Sequence, residues 1–279
     1  REMGSMRVLL TSPMPRSFLL ASKLLGHPVE YALYLPPGYE TDSRRYPVIY
    51  LLHGAGDGQP ADWFRMAGIE RVLDRLILEG EIPPVIAVAP DGRRALGDPR
   101  ATYFLDDADG RYPWAEMFLQ EFIPQVEGRY RTTGEARTRG LMGISMGGFA
   151  AVLHQLRHPD LFRSVSAFAP ICSPSRCPWG EKAFTAYFGE DRATWDRHDA
   201  ARLIEGGAAR GVYDDILVDQ GDADPFLHDQ LKPELLQTAA DAVRQKVTIR
   251  MQPGYDHSYF FMASFIADHI AFHAERLKV

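Results

Sequence analysis

Apolar and polar positions fall along this chain in blocks whose spacing predicts strands and helices in turn. Near the start Val8–Thr11 is a short strand candidate, and Val29–Leu35 alternates with the period of two of an edge strand with one wet face. The runs Tyr46–Leu52 and Val85–Ala89 are apolar throughout, as strands buried on both faces must be. Between them Ala61–Leu78 places Ile69, Val72, Leu73, Leu76 and Ile77 on one helical face. Gly92–Tyr112 is polar without a period and reads as loop, and Trp114–Val126 returns to helix. A third apolar run ends at Ile144 and passes directly into a helical pattern carrying Phe149, Val152, Leu153 and Leu156, which His158-Pro159 stops. Strand Ser164–Ala169 follows. Residues from about 170 to 210 then break the rhythm with prolines, aromatics and one short helical piece around Ala193–Ile204, an insertion placed where a cap would sit. Strand Asp215–Asp219, helix Asp229–Gln245, strand Val247–Met251 and helix Tyr259–Arg276 complete the chain. Near-continuous apolar strands alternating with helices are the pattern of a mostly parallel sheet covered on both faces.

The third run carries the sharpest chemical signal, Gly143-Ile144-Ser145-Met146-Gly147. A Gly-x-Ser-x-Gly between strand and helix resembles the nucleophile elbow of α/β-hydrolases, where a strained turn presents the serine and glycines stand where a Cβ would collide. A serine hydroxyl needs an imidazole base and a carboxylate that orients the imidazole, in the chain order Ser, acid, His. Open parallel sheets place such groups at the C-terminal ends of strands. His257 follows the last predicted strand, and the one before it opens into Gln220-Gly221-Asp222-Ala223-Asp224-Pro225. Asp224 is the expected acid, because the chain needs a turn before a carboxylate can point back; Asp222 is the alternative. After the strand Tyr46–Leu52 comes His53-Gly54-Ala55-Gly56, a loop able to aim a backbone N–H at the serine. The N–H groups of Ala55 and Met146 are the expected oxyanion donors, with Gly54 beside the substrate.

Composition narrows the picture. With 46% hydrophobic residues, 24% charged and a net charge of −6, the chain reads as a globular protein whose acidic balance argues against nucleic acid. The arginines between Arg129 and Arg139 read as a solvated loop. No segment reads as a membrane span, and Val8-Leu9-Leu10 is too short for a secretory h-region, which implies a cytoplasmic setting. Cys172 and Cys177 read as free thiols, with a local disulfide as the alternative. The pairs His154/His158 and His269/His273 lack a third ligand and read as exposed helix faces, so neither metal nor cofactor is expected. Arg1–Ser5 reads as a cloning remnant before a single domain over 6–279, and a homodimer is compatible with the chain.

Beyond the elbow, Ser166-Ala167-Phe168-Ala169-Pro170-Ile171-Cys172, Cys177-Pro178-Trp179-Gly180-Glu181-Lys182-Ala183-Phe184, Asp219-Gln220-Gly221 with Asp224-Pro225-Phe226-Leu227, and Gln252-Pro253-Gly254-Tyr255-Asp256-His257-Ser258-Tyr259 resemble the esterase D family. Its best known members are S-formylglutathione hydrolases. The resemblance implies an α/β-hydrolase fold and a triad on Ser145, Asp224 and His257, with Trp179 bordering the acyl pocket. Trp179 and Phe184 are expected to keep that pocket short. The N-terminal half differs. The glutathione-thioester enzymes carry Ser-Gly-Leu-Thr-Cys where this chain has His53-Gly54-Ala55-Gly56, as broader carboxylesterases do. The expected activity is a serine carboxylesterase on short acyl esters or thioesters; S-formylglutathione hydrolysis and acyl transfer to an alcohol or sugar are the alternatives.

Overall fold

The structure, a computed structural model, describes residues 16–94 and 101–278. Eight strands form one sheet in the order β1-β2-β4-β3-β5-β6-β7-β8. They are β1 (Arg16–Leu20), β2 (Val29–Tyr34), β3 (Val48–Leu52), β4 (Ile86–Pro90), β5 (Arg139–Ile144), β6 (Ser164–Phe168), β7 (Leu217–Gly221) and β8 (Thr248–Gln252). The first two pairings, β1 with β2 and β2 with β4, are antiparallel, and all others are parallel. β3 and β4, apolar throughout, are buried along their whole length; so are β6 and β7, whose polar residues Ser164, Ser166, Asp219 and Gln220 are buried too, whereas β8 lies on an open edge. The predicted strand Val8–Thr11 lies outside the described residues. β2 is not the edge: β1, which the sequence pattern does not announce, pairs with it.

Helices α1 (Asp62–Arg65) and α2 (Ile69–Leu78) replace the single predicted helix, because Gly68 breaks it with a φ of 67°. The continuous segment Trp114–Met117, Phe118–Phe122 and Ile123–Arg129 is α3, followed by α4 (Met146–Arg157). Right-handed crossovers put α2 on one face of the sheet and α3 and α4 on the other, since β4 lies on the opposite side of β3 from β5 and β6. The stretch between β6 and β7 holds α5 (Pro178–Phe188), α6 (Arg192–Asp196) and α7 (Ala200–Glu205). Two more complete the fold, α8 (Pro233–Val243) and α9 (Tyr259–Arg276), the latter packed on α2 and β6.

The arginines between 129 and 139 are only in part a solvated loop: Arg129 and Arg137 are exposed, but Arg131 and Arg139 are largely covered. Arg139 makes two hydrogen bonds to Glu127 with both side chains largely covered, Arg131 lies 4.0 Å over the Tyr39 ring, and Arg129 reaches the Leu19 carbonyl and the Tyr31 hydroxyl. Arg139 and Arg129 thereby tie α3 to β5 and to the antiparallel pair β1 and β2. Among the described residues no helix is long and apolar enough to cross a membrane.

Candidate active site

The end of β5 hands the chain to Ser145, whose backbone sits at φ 55°, ψ −113°. That is a costly conformation for a residue with a Cβ, of order 1–3 kcal/mol, and persists only where the surroundings enforce it. Here the Ser145 N–H donates to the Phe168 carbonyl at 2.9 Å, while its own carbonyl accepts from Phe149 N at 3.0 Å and Ile171 N at 3.3 Å. The two glycines allow α4 to begin this close to the sheet. A Cβ on Gly143 would lie 2.0 Å from the Gly147 carbonyl oxygen, and one on Gly147 would lie 2.1 Å from that of Leu52. So the elbow is wedged between β3 and its own helix, and Ser145 faces an open cavity.

β7 and β8 end side by side, with Gly221 opposite Gln252. From the loop after β7, Asp224 brings Oδ2 to 2.7 Å from His257 Nδ1, on the loop after β8. A carboxylate accepts, so Nδ1 carries a proton, and in the neutral ring it is Nε2 that holds the lone pair. The Phe226 N–H donates to Asp224 Oδ1 at 2.8 Å, and the Gln220 amide to Oδ2 at 3.1 Å. Burial alone would raise the Asp224 carboxyl, but His257, the Phe226 N–H and the Gln220 amide outweigh it and hold it below the ordinary carboxylate range. Asp222 does something else. Its Oδ1 accepts from the Gly254 N–H at 2.7 Å, fastening the acid loop to the histidine loop from the outside. Gln220 has no sequence signal as a site residue beyond being polar inside an otherwise buried strand.

Ser145 and His257 share the wall of one cavity of about 810 Å³ with Gly54, Ala55 and Trp179. Met146 opens α4, where a helix's first amides have no partner within the helix. The expected pocket residue Phe184 is not on this wall. It is fully buried, its ring 5.2 Å from Phe188 and 6.3 Å from Phe149. The reason is helical geometry: α5 turns Trp179, Lys182, Ala183, Ala186 and Tyr187 to the cavity, at i, i+3, i+4, i+7 and i+8, and position 184 falls on the core side.

The remaining histidines also depart from expectation. His154, His269 and His273 are buried, not on exposed faces. His269 Nε2 is 2.7 Å from Asp219, His273 bridges the hydroxyls of Ser164 and Ser166, and His154 Nε2 donates to the Phe104 carbonyl. Among the described residues no group of three or more His, Cys, Asp or Glu is placed to hold a metal ion. Cys172 and Cys177 are both free and buried.

Residues 22–272 match the family model Esterase. The chain belongs to the esterase family. This esterase is 39% identical over 272 residues to an S-formylglutathione hydrolase of Paracoccus denitrificans, covering 92% of this chain and 91% of that one. Among solved structures it is similar to an S-formylglutathione hydrolase from Agrobacterium tumefaciens, at 32% identity and a TM-score of 0.83 over 94% of this chain and 95% of the other. A ferulic acid esterase superposes with a TM-score of 0.79 at 25% identity, covering 93% and 97%. The enzyme is therefore a carboxylesterase of the α/β-hydrolase fold.

Proposed function

We propose that Ser145 is the nucleophile, His257 the general base and Asp224 the residue that orients it, in hydrolysis of short acyl esters and thioesters. Ser145 Oγ attacks the acyl carbonyl as His257 Nε2 takes its proton. The oxyanion is held by the Ala55 and Met146 amides, and collapse returns the proton to the departing alkoxide or thiolate. Water then repeats the sequence on the acyl-serine, and no metal or cofactor enters any step. The observation that carries this reading is the 2.7 Å contact between Asp224 and His257 beside a strained serine on the same cavity.

Trp179, packed 4.6 Å from Phe226, supports a short acyl side, although Phe184 adds nothing to it. The rest of the cavity leaves room for a large leaving group, and similarity to S-formylglutathione hydrolases makes S-formylglutathione the thioester of choice. The rings of Tyr103, Trp179 and Tyr187 on the wall favour a second reading, aryl-acyl esters such as methyl ferulate. A cytoplasmic setting belongs to the reading and agrees with two unpaired cysteines.

Two measurements test it. Covalent labelling by a fluorophosphonate is expected to disappear in Ser145→Ala, and labelling retained at another residue would remove the assignment. In kcat/KM, p-nitrophenyl acetate, p-nitrophenyl octanoate, methyl ferulate and S-formylglutathione rank the substrate classes; octanoate preferred over acetate would refute a short acyl side.

A further inference from the structure

His53 is buried at the end of β3, one residue before the loop that supplies Ala55, and both ring nitrogens are engaged. Nδ1 lies 2.8 Å from the Gly54 carbonyl oxygen, and Nε2 lies 2.9 Å from the Gly92 backbone nitrogen. A backbone N–H can only donate and a carbonyl can only accept. The imidazole is therefore neutral with its proton on Nδ1, donating to Gly54 and accepting from Gly92. The Asp91 carboxylate also faces this nitrogen, and against the effect of burial His53 helps hold its carboxyl low, but its Oδ1 is 3.7 Å from Nε2 and takes hydrogen bonds from the Arg93 side chain and N–H, whereas the Gly92 N–H sits at 2.9 Å and is the partner Nε2 accepts from. The Phe104 ring packs edge-on against the imidazole, 5.2 Å away, which leaves the ring little room to turn.

The bond to Gly54 fixes more than a carbonyl. In a planar trans peptide the C=O of one residue and the N–H of the next point in opposite directions. Gripping the Gly54 oxygen from the interior therefore turns the Ala55 N–H the other way, and Ala55 is on the cavity wall. The same oxygen is wedged from a second side. A Cβ on Gly58 would lie 2.1 Å from it, and the Gly58 N–H closes the turn onto the Ala55 carbonyl at 3.3 Å. The His53 carbonyl in turn abuts Gly147 of the elbow, 2.5 Å from where a Cβ would stand. Histidine, loop and elbow are one packed unit.

We infer that His53 is a positioning residue for the oxyanion hole: its Nδ1–H holds the Gly54–Ala55 peptide in the orientation that aims the Ala55 amide at the reacting carbonyl. The inference rests on the oxyanion role proposed above for Ala55. His53 itself touches no reacting atom and exchanges no proton during turnover. It acts by pre-aligning a dipole, a contribution realised when charge develops on the carbonyl oxygen and absent when substrate merely binds.

The test uses three variants of the intact enzyme. His53→Ala removes both bonds. His53→Asn puts an amide N–H near the Nδ1 position, able to reach Gly54, while His53→Gln puts an amide oxygen near Nε2, able to accept from Gly92 only. Losing one oxyanion donor outright costs ~100- to 1,000-fold in kcat, so misaligning it in His53→Ala is expected to lower kcat by ~30- to 100-fold with KM changed less than about threefold. His53→Asn should recover most of that loss and His53→Gln little of it. The inhibition constant of a trifluoromethyl ketone should rise in step with the fall in kcat/KM. A role in merely holding the fold predicts instead that Gln rescues as well as Asn, or that the loss appears in KM, and either result overturns the inference. So does a His53→Ala enzyme within twofold of the parent in kcat. If His53→Ala does not fold, the ratio of Asn to Gln decides alone. Fluorophosphonate labelling at Ser145, retained in all three, separates failure of this inference from failure of the triad.

Discussion

Replacing Asp224 by Asn preserves the shape of the side chain and removes one acceptor, so the outcome depends on which way the amide settles. The Phe226 N–H donates to Oδ1 at 2.8 Å, and that position must stay an oxygen or leave a buried N–H facing another donor, at about 1–3 kcal/mol. The amide nitrogen then takes the Oδ2 position, 2.7 Å from His257 Nδ1 and 3.1 Å from the Gln220 amide. A donor there forces the imidazole proton onto Nε2, the atom that has to accept the Ser145 proton. In serine enzymes generally that wrong tautomer costs ~10,000-fold in kcat, or ~5.5 kcal/mol at the transition state. Asp222→Asn should behave differently. It keeps an oxygen for the Gly254 N–H on an exposed loop, and a loss under about threefold is expected. Steady-state hydrolysis of p-nitrophenyl acetate by both variants, with calorimetric Tm values to show that both are folded, checks the comparison. Equal losses, or a larger loss for Asp222→Asn, would refute the reasoning.

Gly147→Ala would place a methyl 2.1 Å from the Leu52 carbonyl oxygen, a backbone atom that cannot retreat, and is expected to abolish soluble expression or lower stability by more than ~3 kcal/mol by urea unfolding. Phe184→Ala should cost ~3–5 kcal/mol of stability with an unchanged ranking of acyl lengths, whereas Trp179→Ala should shift the ranking toward longer acyl groups at smaller cost to stability. Burial pushes both His154 and His273 down from 6.5 to about 3. Their folded-state values lie below the unfolded one, so the unfolded chain binds the extra protons, and stability should fall as pH drops below about 6.5, by up to ~1.4 kcal/mol per pH unit for each histidine. Asp91 and Asp219, held at about 2 despite burial, begin to matter only below about pH 4. Urea midpoints that stay level from pH 7 to pH 5 would count against this account.

What could be read from the sequence followed from periodicity and from strand ends. Strands β3 and β4 are legible because burial on both faces forces unbroken apolar runs, and the three residues proposed as the triad stand out because Ser145 directly follows the elbow strand while Asp224 and His257 lie in the loops after the last two strands. β1 is not legible, since Arg16–Leu20 carries no period that separates it from loop. The helical break at Gly68 depends on a positive φ that a glycine permits without announcing. The buried histidines show a different limit: a polar residue on a helix reads as solvated unless its partner is visible, and the partners of His269 and His273 lie on β7 and β6. Phe184 reads as a pocket residue only while the phase of α5 is ignored. Once Trp179, Lys182, Ala183, Ala186 and Tyr187 are counted at helical spacing, 184 falls off the stripe.

If the cavity holds the acyl group as proposed, that stripe makes one helical face a dial for substrate choice. α5 lies between β6 and β7, outside the strands that end in the serine, acid and histidine loops, and its first turn is tied down where the Trp179 N–H donates to the Gln230 side chain at 2.9 Å. Enlarging Ala183 or Ala186 would fill the cavity a methylene at a time while the reacting groups stay where they are. Losing a single residue within the helix is another matter, because everything beyond the gap would rotate by about 100° and sweep the wall residues out of register. The face of the helix can therefore vary where its length cannot.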